Sequence, residues 1–183
     1  MSADEVAYEP VSVKAVLAEM KDTAELLIDL SYSAVLLGSD EVAAEVLELE
    51  AKMDVLQMQA RMSILLAARS PDDAEALAPV LGVVGAAEKI SDAAGDIAKV
   101  VLEDIGLPDA MRAALPEAVE TLVRAEVAPD SPLGAATLGD LNLETDTGVR
   151  ALAIRRGGDW LLNPDRDTTL RGGDVVLFRG PQE

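Results

Sequence analysis

The sequence predicts a two-part protein: an all-α antiparallel three-helix bundle followed by a small α+β domain. Three observations predict it. Apolar residues recur at helical spacing through the first half of the chain, and beyond residue 125 the pattern changes to short β-branched runs punctuated by Gly, Pro, Asn and Asp. The charge changes with it, since residues 1–109 hold 22 of the 34 acidic and 7 of the 15 basic residues, against 12 and 8 in residues 110–183. The expected division is a helical bundle over 1–108, a linking helix over 109–125 and the α+β domain over 126–183.

The first helix is expected from about Val11 to Leu37, where Val13, Val16, Leu17, Met20, Ala24, Leu27, Ser31 and Val35 lie at helical spacing and Gly38-Ser39 stops the run. Ser39 or Asp40 caps the second, which continues to Arg69 through Val46, Leu49, Met53, Leu56, Ala60, Ser63 and Ala67. Ser70-Pro71-Asp72 ends it and opens the third. That helix reaches about Glu103, carries Leu77, Val80, Val84, Ala87, Ser91, Ala94, Ala98 and Val101 on one stripe, and exits at Gly106-Leu107-Pro108. Pro79 sits early enough to kink it without breaking it. Three amphipathic helices joined by tight turns bury one face each by packing up-down-up, and a spare apolar face then needs a partner.

After the linking helix from Asp109 to Arg124, strands are expected at Glu126–Pro129, Val149–Arg156, Asp159–Leu162 and Val175–Arg179, with a short helix at Leu138–Leu141 capped by Thr137. Gly157-Gly158 marks a tight hairpin, and Gly172-Gly173-Asp174 turns the chain into the last strand.

Half of the residues are apolar but only 2% are aromatic, so the core is built from Ala, Val, Leu and Ile. The absence of Cys and His removes disulfides, thiolate zinc sites, cysteine nucleophiles, imidazole bases and Ser-His triads. No acid–base pair, nucleophile elbow or phosphate loop stands out, so a non-enzymatic protein is expected. A net charge of −19 repels nucleic acid and anionic lipid alike. Its Asp-rich acids and Arg-rich bases suit molar salt, where the Debye length falls to about 3 Å. The acidic Met1-Ser-Ala-Asp-Glu start resembles no signal peptide, and no run approaches the roughly 18 apolar residues of a membrane span. A cytoplasmic protein with no direct membrane insertion is expected.

Two constellations carry chemistry. Glu50 and Asp54 on the second helix, and Glu88, Asp92 and Asp96 on the third, lie at i, i+4 spacing, so each set lines one face beside an apolar stripe. Antiparallel packing brings such sets together, and clustered oxygens suit a divalent metal or iron. On spacing alone they read more readily as a solvated acidic surface with Lys52 and Lys89 as local partners. Glu88-Lys-Ile-Ser-Asp92-Ala-Ala-Gly-Asp96-Ile-Ala resembles the third-helix signature of the PhoU family, and Glu50-Ala-Lys-Met-Asp54 its E/D-x-x-x-D motif. The resemblance covers one repeat, about Val11 to Asp104, and implies metal ions on these five residues. The sequence departs from the family at Ala93 and Asp96.

The second constellation lies in the C-terminal half. Val127-Ala-Pro-Asp-Ser131-Pro-Leu-Gly-Ala-Ala-Thr137-Leu-Gly-Asp-Leu141, then Thr147-Gly-Val-Arg-Ala-Leu-Ala-Ile-Arg155-Arg156-Gly, Asn163-Pro164 and Leu170-Arg-Gly-Gly-Asp174-Val-Val-Leu, resemble the TrkA C-terminal (RCK C-terminal) family in order. The resemblance spans about Arg124 to Gly180 and implies an RCK C-terminal-type domain that dimerises. It also implies a small ligand, a cyclic dinucleotide in some members, near Ile154, Arg155, Arg156, Asn163 and Pro164. Read by themselves, Arg155 and Arg156 are strand-end charges beside a hairpin turn and Asn163-Pro164 is another turn. No Gly-x-Gly-x-x-Gly follows a strand, so NAD is not expected.

Together these resemblances imply a regulatory subunit of a potassium or other cation transporter or channel that is a separate polypeptide. The chain itself is expected to form a homodimer or higher oligomer, with no nucleic-acid partner. The alternative is a PhoU-like regulator of phosphate uptake with a metal-binding bundle.

Overall fold

A computed structural model describes residues 12–103 and 122–180. Its helical part is three long helices, α1 (Val13–Leu37), α2 (Asp40–Ala67) and α3 (Pro71–Leu102). Each start is capped by a serine whose side chain accepts a backbone N–H: Ser12 from Ala15, Ser39 from Val42 and Ser70 from Asp73. Gly38 closes α1 in the left-handed region at φ 58°, with its N–H returned to the carbonyl of Ala34. The second helix stops at Ala67, two residues short of the expected Arg69. The residue before Pro71 is driven out of the helical region, and Ala68 and Ser70 are both extended. Pro79 lies within α3, which continues past it.

The C-terminal part begins with β1 (Leu122–Glu126) and a 3₁₀ turn (Pro132–Ala135). Two short helices follow, α4 (Leu138–Leu141) and α5 (Leu143–Thr147), then β2 (Arg150–Arg156), β3 (Asp159–Leu162) and β4 (Val175–Arg179). A capping box between Thr137 and Asp140 fixes α4 as expected. All strands pair antiparallel in the order β1-β4-β2-β3.

β1 corrects one expectation. The linking helix was to run to Arg124 and the first strand to begin at Glu126, yet Leu122–Glu126 pairs with Arg179–Val175 of β4. A five-residue run with one buried end favours neither state locally, and β4 decides. The rest of the linking helix, the expected exit at Pro108, Val11 and the acidic N-terminus lie outside the described residues.

The sheet has two apolar faces. Leu122, Ala153 and Leu177 join the core formed by Val16, Met20, Leu27, Leu30, Leu49 and Met53 of the bundle. On the opposite face Ile154 and Val176 meet Val127 and Leu170, with Leu138, Leu141 and Phe178 packed around them. The result is three layers: the bundle, the sheet, and the small helices with their loops. A bulge between Ala151 and Ala153 interrupts the β2–β4 register.

Candidate functional site

The contact between bundle and sheet gathers the densest charge chemistry. On α2, Glu45 occupies the buried face between Val42 and Leu49, three residues after one and four before the other, and is only 3% exposed. A carboxylate so placed needs cationic donors. Two strands supply them. Nε of Arg155 donates to Oε2 of Glu45 and its second terminal nitrogen to Oε1, both at 2.6 Å, a two-point clamp from β2. Arg124 on β1 donates through Nε to Oε1 of Glu45 at 3.1 Å and also reaches Glu41 at 3.1 Å. The hydrogen bond from Arg155 to Glu45 raises the guanidinium's pKa above its ordinary value, so Arg155 stays a cation.

Three further contacts extend this seam along α1. The Leu122 N–H donates to Oγ of Ser33 at 3.0 Å, within the core. Arg179 of β4 pairs with Asp29, and Asn163 donates to Asp22 at 3.2 Å. Asn163 holds φ 49°, a left-handed value that asparagine tolerates, directly after β3.

The five residues nominated for ligand contact are therefore distributed over both faces of the sheet. Arg155 faces the bundle, whereas Arg156, its neighbour on an extended strand, points the other way. Arg156 donates twice to Asp174 at 2.8 Å and once to the carbonyl of Thr169 at 2.9 Å. This partner holds the Asp174 carboxyl below the usual carboxylate range despite its burial. Ile154 is fully buried in the outer core and Asn163 is tied to the bundle. Pro164 borders an open groove of about 290 Å³ bounded also by Leu138, Asn142, Arg150 and Arg166, and Asn163 borders a smaller one of about 100 Å³ against α1.

On the bundle, packing brings together four of the five carboxylates nominated for metal. Glu50 lies tightly against Gly95 of α3, where any Cβ would collide with its carboxylate. Its pKa is raised, first by desolvation and then by the charges of Asp92, Asp54 and Asp96, with Lys99 acting in opposition. Glu88 is elsewhere engaged, accepting from Arg61 at 3.3 Å. Lys99 pairs with Asp96 at 3.3 Å, while Lys52 reaches Glu19 on α1 at 2.8 Å. Among the described residues no three carboxylates converge in a manner able to hold a metal ion. Lys99 stands with Asp96, Glu50 and Asp92 as their counter-ion.

Comparison with known proteins follows the same division. Residues 17–101 match the PhoU domain and residues 122–183 match the TrkA-C domain. The chain thus joins a PhoU domain to a TrkA-C domain. A curated relative, Ktr system potassium uptake protein A of Vibrio alginolyticus, is 39% identical over 62 residues, which are 34% of this chain and 28% of that protein. The chain therefore spans under a third of that relative's length. Among solved structures, the RCK_C domain dimer of S. agalactiae BusR in complex with c-di-AMP is 26% identical, with 33% of this chain and 80% of that one covered and a TM-score of 0.31. The KtrA RCK C domain in complex with cyclic diadenosine monophosphate is 19% identical over 39% of this chain and 82% of that one, also with a TM-score of 0.31.

The seam runs between the PhoU and TrkA-C domains, and sequence reasoning missed its centre. Glu45 gave one signal, a charge set within an apolar helical stripe. Arg124 gave none, having been placed in a helix, and the pairing of Asp29 with Arg179 arises only from the fold. Among the described residues no helix is long and apolar enough to cross a membrane.

Proposed function

We propose that this chain is a cytoplasmic, non-enzymatic regulatory subunit of a separately encoded potassium or other cation transporter, in which the TrkA-C domain senses a small ligand and the PhoU domain relays its state. The observation that carries the reading is the 39% identity of a 62-residue stretch with a potassium uptake protein. The seam gives it a physical route, because Glu45 couples α2 to two strands of the TrkA-C sheet. A ligand that binds better to one arrangement of that seam shifts the population of arrangements by its difference in affinity.

The ligand proposed is a small anion, a cyclic dinucleotide being the class to try first. The groove beside Pro164 presents Arg150 and Arg166, and guanidinium groups suit phosphate oxygens. Arg155 and Asn163 then act through the seam, as they already hold carboxylates of the PhoU domain. NAD has no part in the proposal.

The test is co-purification of the tagged full-length chain from native membranes, with rubidium uptake measured in cells with and without the gene. A cation transporter in the eluate and altered uptake are expected. Phosphate-transport components in its place, with unchanged rubidium uptake, overturn the reading in favour of phosphate signalling, which the PhoU match over 17–101 supports. Calorimetric titration with cyclic di-AMP tests the ligand separately; binding that survives Arg150→Ala with Arg166→Ala moves the site elsewhere.

A further inference from the structure

The C-terminal half of α2 presents apolar side chains on its outer face as well as its inner one. Met53, Leu56, Ala60 and Ile64 are buried in the bundle, yet Val55, Met58, Met62 and Leu65 follow one another at i, i+3, i+7 and i+10 on the opposite side. Val55 is 44% exposed, Met58 53% and Leu65 70%, with Leu66 beside it at 62%. This stripe is about 15 Å long at the helical rise per residue. The neighbouring helix repeats the anomaly, burying five residues along its length where α1 and α2 bury eleven each. Residues Ala76 to Ala87 of α3 carry no charge, although Val83 in their midst is 60% exposed. The Arg61–Glu88 pair shows that these stretches of α2 and α3 lie side by side. A helix apolar on all sides belongs in an interior, and a surface patch of this kind marks a contact.

Charge selects the occupant. The protein carries −19 overall, but from Val55 to Pro71 there is no carboxylate and there are two arginines, Arg61 and Arg69. Two copies approaching over the acid-rich remainder of the helical half meet like charge on like charge, whereas this stretch of α2 carries no carboxylate. A basic partner gains most on the acidic remainder of the surface, and an anionic membrane is repelled by the net charge.

We propose that the outer face of α2, with the uncharged stretch of α3 beside it, is a two-fold contact with a second copy of this chain. The contact is isologous: Met58 and Met62 of one protomer pack against the same stripe of its partner, antiparallel. Unbranched methionines adapt readily to such self-packing. The contact lies in the PhoU domain, so it is additional to any pairing of TrkA-C domains and independent of the transporter reading.

Sedimentation equilibrium of the full chain tests it. The M58E/L65E double variant is expected to halve the mass of the assembly while leaving helical circular dichroism unchanged; an unchanged mass in a folded variant overturns the proposal. The chain has no cysteine, so a single introduced thiol reads one contact. Mild oxidation is expected to link the M58C chain into a dimer and to leave E25C, on α1, unlinked. Should the double variant fail to fold, this cross-link decides: no dimer band from M58C overturns the proposal. Flotation with phosphatidylcholine vesicles that M58E/L65E abolishes, without cross-linking of M58C, assigns the face to lipid and likewise overturns it.

Discussion

Glu45 on α2 and Arg155 on β2 lie 110 positions apart in the chain and meet through two hydrogen bonds of 2.6 Å. Arg124 completes the set from β1, at the other edge of the strand β4 that separates β1 from β2. One carboxylate thus fixes the sheet on the bundle at two points. Apolar side chains of the same volume often replace a buried ion pair at no cost in stability, so the role we assign to these charges is to specify the relative position of the two layers.

Replacing Glu45 by Ala leaves the partly buried Arg155 guanidinium without its carboxylate and Arg124 with Glu41 in its place. The expected loss is about 3–5 kcal/mol, read by urea unfolding. Adding Arg155→Met to Glu45→Ala is expected to recover part of it, and the cycle measures the coupling. A double-variant loss equal to the sum of the Glu45→Ala and Arg155→Met losses would mean that the clamp adds nothing.

At Ser33 the hydroxyl accepts from the Leu122 N–H and donates to the carbonyl of Asp29 at 2.7 Å. Ser33→Ala orphans that buried N–H, with an expected cost of about 1–3 kcal/mol. Hydrogen exchange at Leu122 is expected to speed up more than at Ala153 in the sheet centre.

For Asp174 the sign follows from its depressed pKa. The stabilisation is present above the unfolded carboxyl pKa and is lost as pH falls through the lower folded value. Asp174→Asn, which weakens two bonds from Arg156 and one from the Arg171 N–H, is expected to cost about 2–3 kcal/mol at neutral pH. The difference from the parent chain narrows in acid, as a melting series at stepped pH will record.

Glu50 behaves in the opposite sense. Its raised pKa means that the ionised carboxylate disfavours the folded state at neutral pH and that this penalty disappears as pH falls through the folded value. Glu50→Gln is expected to stabilise by a few tenths of a kcal/mol to about 0.5 kcal/mol, the scale of like-charge pairs on helices. A melting temperature unchanged at pH 7, or raised equally at pH 4, contradicts this.

Much of the fold was legible because its signals are local. Ser39, Ser70, Gly38 and Thr137 mark helix ends by their own hydrogen bonds or backbone angles, and β3 and β4 have the bounds that their turns announce. What lay beyond reading depends on distant partners. β1 is a strand because β4 pairs with it, and α5 is a five-residue turn entered through Asn142 at φ 47°. The site was legible only in part. That Glu45 interrupts an apolar stripe was visible, but not which cations answer it. The assignment of β2 as a strand already implied that Arg155 and Arg156 face apart, so a single phosphate was never a natural target for both.

The bulge in β2 decides which of those arginines the bundle meets. Ala151 stands opposite Phe178 on the outer face, and Leu152 is the surplus residue before Ala153 stands opposite Leu177 on the inner one. Were the strand regular with all its residues kept, every side chain after Leu152 would change sides. Arg156 would be aimed at α2, Ile154 would leave its core, and Arg155 would be stranded beside Asp174. The recognition code between the two layers is therefore written in the pairing with β4 and not in the count of residues: a strand lacking Leu152 would keep Ala151 opposite Phe178 and Ala153 opposite Leu177, whereas one that straightened with Leu152 in place would present the wrong letters.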